Sequence, residues 1–327
     1  MAYQNVDRCK FYVDNASYLK HLGHNPLKGG DGILSVDPEL EKLYHVNPAE
    51  MAKFTSANTQ NLGINYTPVL GLKANFVMIL NHNTQTKNGE FVLRDSENIE
   101  IAHTDIVNST TVEDGYSIME LDEHEDELKI EINSTGFSDI DWSVGALLVG
   151  NSYTTPFAPD LKLKLSYDYD GISTLKTKGG ATLSNALYTQ PPKWGLRGAW
   201  ENGNDADGNP IQCYRSGRRK WDLSFSFLSD TDVFPVNPHT SMNAETATDY
   251  TDTDIVGNVF TENIITGTDF FSEVYNKCIS SHIPFVFQPD YNNNNDFAVC
   301  RFDQKSLQLN QTGHNLYSMK IRIVESW

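Results

Sequence analysis

Residues 216–230 read SGRRKWDLSFSFLSD, and the alternation after the cations decides the fold class. Trp221, Leu223, Phe225 and Phe227 fall on one side of an extended chain, with Asp222, Ser224 and Ser226 on the other. A period of two with one dry and one wet face is the signature of a half-buried strand. Tyr317, Met319, Ile321 and Ile323 repeat it against Ser318, Lys320 and Arg322, and LKLKLSY over 161–167 alternates in the same way. One core accounts for all three, so a sandwich is expected from residue 161 onward.

Working outward, Phe76–Leu80 and Trp142–Val149 are continuous apolar runs of strand length, which suits strands covered on both faces. Leu128, Ile130 and Ile132 alternate with Lys129 and Glu131, as in a strand with one wet face. These runs predict a first sandwich ending near the PFAP break at 156–159. The fold class is therefore mainly β: two β-sandwich domains, residues 1–160 and 161–327, the second carrying one packed α-helix. That helix is expected over 269–279, capped by Thr268, with Phe270, Phe271, Val274, Tyr275, Cys278 and Ile279 as its apolar stripe. Pro284 stops it before a strand at 285–287. Residues 11–22 suit a strand and a turn. Residues 23–65 are rich in Gly, Pro and polar side chains and are expected as an extended arm, and 236–266 as a long loop.

Composition excludes several functions. Asp and Glu number 43 against 25 Lys and Arg, for a net charge of −18, and such a chain repels phosphates, so no nucleic-acid partner is expected. No run reaches the ~18 apolar residues of a membrane span, and MAYQNVDRCK carries charges where a signal peptide needs an apolar stretch, so synthesis in a cytoplasm is expected. Cys9, Cys213, Cys278 and Cys300 lie far apart without C-x-x-C spacing, which suits buried free thiols. His21 and His24 lack a third ligand at a telling distance, and the acidic run 120–127 lacks the spacing of a calcium loop, which leaves a solvated loop before the strand at 128. There is no nucleophile elbow, phosphate loop or dinucleotide fingerprint. No catalytic residue, metal or cofactor is therefore assigned, and the chain is not expected to be an enzyme.

The cations Arg215, Arg218, Arg219 and Lys220 admit three readings. They are a strand end guarded against aggregation, a contact with an acidic surface on the next copy, or a ligand site. Tyr116 and Tyr153 are the aromatic rings that would stack on a sugar if the first sandwich binds a glycan.

Several phrases resemble virion structural proteins of tailed bacteriophages: ANFVMILNHN at 74–83, SVGALLVG at 143–150, KGGATLS at 178–184, RRKWDLSFSFLS at 218–229 and PFVFQPD at 284–290. The resemblance implies a galactose-binding-type jelly roll in the first half and a distal-tail or tail-tube type of β-domain in the second. It further implies a structural subunit of a virion, a symmetric ring in the tail or tail tip whose partners are copies of itself and other virion proteins. The alternative is a carbohydrate-binding module that attaches to a host glycan.

Overall fold

The computed structural model describes residues 7–47, 50–57, 61–83, 89–103, 116–134, 139–161, 163–168, 172–186, 218–235, 264–293 and 296–326. The chain enters on β1 (Lys10–Asp14) and passes through α1 (Asn15–His21), β2 (Leu27–Gly29), α2 (Glu39–Lys42), β3 (Ala52–Ala57) and β4 (Asn61–Tyr66). There follow β5 (Ala74–Leu80), β6 (Gly89–Arg94), β7 (Glu100–His103), β8 (Tyr116–His124), β9 (Leu128–Ser134), β10 (Asp139–Val144) and β11 (Ala146–Thr154). Beyond residue 160 come β12 (Lys164–Asp168), β13 (Ile172–Lys176), β14 (Thr182–Ala186), β15 (Arg218–Leu228), α3 (Asp230–Val233), a π-helix (Phe271–Asn276), β16 (Phe285–Gln288), β17 (Ala298–Phe302), β18 (Gln308–Gly313) and β19 (Leu316–Glu325). The protein is mainly β, and its paired strands are antiparallel.

A ten-stranded sheet runs β12-β15-β19-β17-β16-β1-β11-β5-β8, with β18 also on β19. It crosses residue 160, because β1 pairs with β11 on one side and with β16 on the other. A five-stranded sheet, β2-β4-β9-β6-β7, packs over the β5 and β11 part of it. Between the two sheets, Leu62, Ile64, Phe91, Leu93, Ile130 and Ile132 meet Val77, Ile79, Leu147 and Val149. The alternate residues of the same strands, Phe76, Met78, Leu80 and Leu148, are buried on the far side with Tyr12 and Val286. The two-faced burial read from the run at 76–80 is therefore present.

The other long run is divided. Trp142 belongs to β10, which pairs with β3, whereas Leu147–Val149 belong to β11. Gly145 makes the change of sheet. Its N–H reaches the carbonyls of Leu80 and Asn81, and a Cβ there would lie 2.7 Å from that of Asn81. A side chain at 145 would force β5 and β11 apart.

Residues 23–65 are not an irregular arm in their described part. They supply β2, α2, β3 and β4, and Leu27, Leu40, Leu43, Phe54, Leu62 and Ile64 enter the core. Residues 11–22 form β1 and then a helix, α1, whose first turn Asp14 caps by accepting the N–H of Ala16 at 3.0 Å. Of the loop at 236–266, only 264–266 are described, and Ile265 is buried.

The second core is aromatic. Phe11 of β1 packs against Phe270, Phe285 and Phe287 with ring centroids 5.1–5.6 Å apart, and Trp221, Leu223, Phe225, Ile321 and Ile323 join them. The helix expected over 269–279 is instead the π-helix, with Phe270, Val274, Tyr275 and Cys278 buried on it. Asp269, not Thr268, accepts an N-terminal N–H, that of Ser272 at 3.0 Å. On its far turn Lys277 is fully buried against Glu273 at 2.8 Å.

The alternation in β15 holds only as far as Phe225. A bulge follows, Phe227 has φ 64° and is 72% exposed, and Leu228 takes the buried place expected for Phe227. One extra residue in a strand reverses the facing of everything after it. Cys9, Cys278 and Cys300 are free and buried, as expected of them, and Cys213 lies outside the described residues.

Candidate functional site

The cation cluster is largely consumed within the chain. Arg219 donates to Asp296 Oδ1 at 2.7 Å, to Glu325 Oε1 at 3.1 Å and to the Phe297 carbonyl at 3.1 Å, and its guanidinium lies 5.1 Å from the Trp221 ring. Burial alone would lower its pKa, but the carboxylates of Glu325 and Asp296 outweigh burial and hold the group above its ordinary value. Such a group clamps the start of β15 to the end of β19 and is spent as a contact for another subunit. Lys220 pairs with Asp168 at 2.5 Å, which holds that carboxyl below its usual range. Arg218 opens β15 opposite Asp168, and Arg215 lies outside the described residues.

Of the two tyrosines, Tyr153 is engaged within the chain. Tyr153 packs edge-on against Phe270 at 5.6 Å and donates its hydroxyl to the Asp232 carbonyl at 3.4 Å. Burial pushes its phenol pKa up. Tyr116 opens β8 opposite Leu80, and its side chain is outside the described set. His21 packs edge-on against His282, with ring centroids 5.3 Å apart. The acidic run extends β8 before turning into β9, so only its last residues are the loop expected there, and among the described residues no group of His, Cys, Asp and Glu is arranged to hold a metal.

What the chain does assemble is a groove on the wet face of β12, β15, β19 and β18. Antiparallel register sets Lys164 opposite Asp222 and Asp222 opposite Arg322. One step along, Ser224 faces Lys320, and Lys320 faces Gln308. Neighbouring strands are about 4.8 Å apart and like-facing residues about 6.8 Å apart along a strand, so the wall is a lattice of alternating donors and acceptors. One end is fixed by Asp160, whose N–H donates to the Ser224 carbonyl at 2.8 Å and whose Oδ2 accepts from Ser226 Oγ at 2.9 Å. At the β19 side Gln304 Oε1 accepts the Arg322 N–H at 3.0 Å, which orients the amide over the groove.

The cavity measures about 710 Å³. A second of about 320 Å³ adjoins it, sharing Asp222 and Arg322 and adding Lys164, Ser166, Lys220 and Asp303. Tyr167, 54% exposed, borders this smaller cavity, but its register partner is Arg219, so its side chain falls on the Trp221 side of the sheet and not on the wet side. The wet-face residues were readable in each strand separately. That β15 and β19 lie side by side was not, because 89 to 104 residues separate the partners in their register.

No family model and no curated protein matches the chain. Two solved structures of a fucose-binding module from Streptococcus pneumoniae are similar to part of it. One has 14% identity and a TM-score of 0.27 over 38% of this chain and 89% of that one. The other, SpX-3, has 12% identity and a TM-score of 0.22 over 31% of this chain and 72% of that one. Overlaps this slight carry no argument about ligand, and neither bears on the resemblance to tail proteins.

Proposed function

We propose that the chain is a non-catalytic binding protein that holds a carbohydrate in the groove on β12, β15, β19 and β18. The observation that carries this reading is the lining. Sugar hydroxyls donate and accept at once, and here Ser224, Ser226 and Gln308 do both, Asp222 accepts, and Lys320 and Arg322 donate. The cavity has the size of a small-ligand site and is open enough for a short oligosaccharide to run along the strands.

A glycan array followed by calorimetry on its hits tests the proposal. Asp222→Ala and Arg322→Ala should each weaken binding by roughly tenfold, the loss of one charge-assisted hydrogen bond. Silence across the array, or a ligand whose affinity neither variant changes, overturns it. A second reading, a subunit of a larger assembly such as a virion, is favoured by one observation, the exposed hairpin described next.

A further inference from the structure

β13 and β14 form a two-stranded sheet of their own, outside both large sheets. Residues 173–176 and 178–184 are exposed on both faces of it. Leu175 and Leu183 face each other directly across the ladder and are 68% and 56% exposed. The turn is well made: the Thr177 N–H donates to the Ala181 carbonyl at 2.9 Å, and Gly180 supplies φ 83°. A hairpin with neither face covered is marginal in water, and paired leucines in solvent add to its cost. Its charges are Lys176 and Lys178, with no acid from 172 to 186, in a chain of net charge −18.

A matching surface exists elsewhere on the molecule. The hairpin follows β12, the first strand of the ten-stranded path, and β8 is the last. With strands about 4.8 Å apart, the two ends are separated by roughly 40 Å. Beside β8 lies β7, in which Ile101 is exposed, and Ile99, just before it, is 58% exposed. Glu97, Asp122 and Asp126 surround this end with exposed carboxylates. The hairpin therefore presents an apolar pair flanked by two cations, and the β7–β8 edge an apolar pair flanked by acids.

We infer that the β13–β14 hairpin docks on the β7–β8 end of a second copy of this chain. Because the two surfaces differ, the contact is heterologous, and repetition closes a ring or extends a filament. One hairpin buries less than the ~800 Å² per partner of a standard interface, so a single contact is weak and gains strength by repetition. This goes beyond carbohydrate binding and does not depend on it, since no hairpin residue lines the groove.

Sedimentation velocity of the full chain from low to high micromolar concentration, at low and high salt, tests the inference. The wild type should form oligomers that grow with concentration and shrink with salt. Lys176→Glu with Lys178→Glu should weaken association about tenfold or more, and Leu175→Ser with Leu183→Ser likewise. Adding Asp122→Lys and Asp126→Lys to the lysine-reversed chain should restore it, a rescue that a fold defect would not give. A wild type that stays monomeric at every concentration, association indifferent to the hairpin changes, or failure of the rescue overturns the inference. Glycan binding of the hairpin variants should equal that of the wild type, which separates this outcome from that of the groove.

Discussion

Asp14 offers the sharpest test of the packing where β1, α1 and β11 meet. It ends β1, caps α1 and also accepts the Val149 N–H of β11 at 3.2 Å, so its carboxyl sits where strand, helix and neighbouring strand meet. Burial pushes its pKa up from 3.8 to about 6, against the opposing pull of hydrogen bonds from Ser17, Val149 and Ala16. A carboxyl that binds its proton more tightly when folded contributes stability that is complete below the unfolded value and lost as pH rises through the folded one. The shift of about 2 units corresponds to about 3 kcal/mol in full, of which about 1.4 kcal/mol falls between about pH 5 and about pH 7.5. Asn caps a helix as well as Asp does and carries no charge to bury. Urea unfolding of wild type and Asp14→Asn at those two pH values reads the effect. The variant should gain on the wild type by about 1.4 kcal/mol as pH rises, because the difference cancels every other titrating group. Parallel stability profiles would refute the assignment of that cost to Asp14.

Two further outcomes follow from the described contacts. Arg219→Ala leaves Glu325 and Asp296 without their partner and should cost on the order of 2 kcal/mol in urea unfolding, with no change in glycan affinity. Phe225→Ala should cost about 3–5 kcal/mol, whereas Phe227→Ala should fall within about 0.5 kcal/mol of wild type. Equal losses at 225 and 227 would restore the unbroken alternation and remove the bulge.

That contrast shows where the sequence was legible. Wherever a strand keeps its period and buries one face, as Trp221 to Phe225 and Met319 to Ile323 do, the pattern alone is sufficient. The bulge was not readable, since a Phe with positive φ carries no local signal. The strands at 23–65 stayed hidden because they bury widely spaced residues, Leu27, Phe54 and Leu62, in a stretch otherwise polar. For the candidate site, the polar facing of Asp222, Ser224, Lys320 and Arg322 was in view, and their meeting was not, because it depends on pairing across nearly a third of the chain. The cations at 218–220 posed the same difficulty. Asp296 and Glu325, which hold Arg219, lie 77 and 106 residues away.

The position of β1 bears on how the protein is made. Lys10 lies opposite both Thr154 and Gln288, so β1 waits during synthesis for a partner strand made 278 residues later. Until β16 arrives, β1 has an open edge, and Phe11 and Val13 lack the aromatic wall they fill. Contacts of such separation are formed late and slowly, because the loop must close before the contact rewards it. Until then the nascent chain carries an exposed hydrophobic seam. It becomes one cooperative body only when β16 takes its place beside β1.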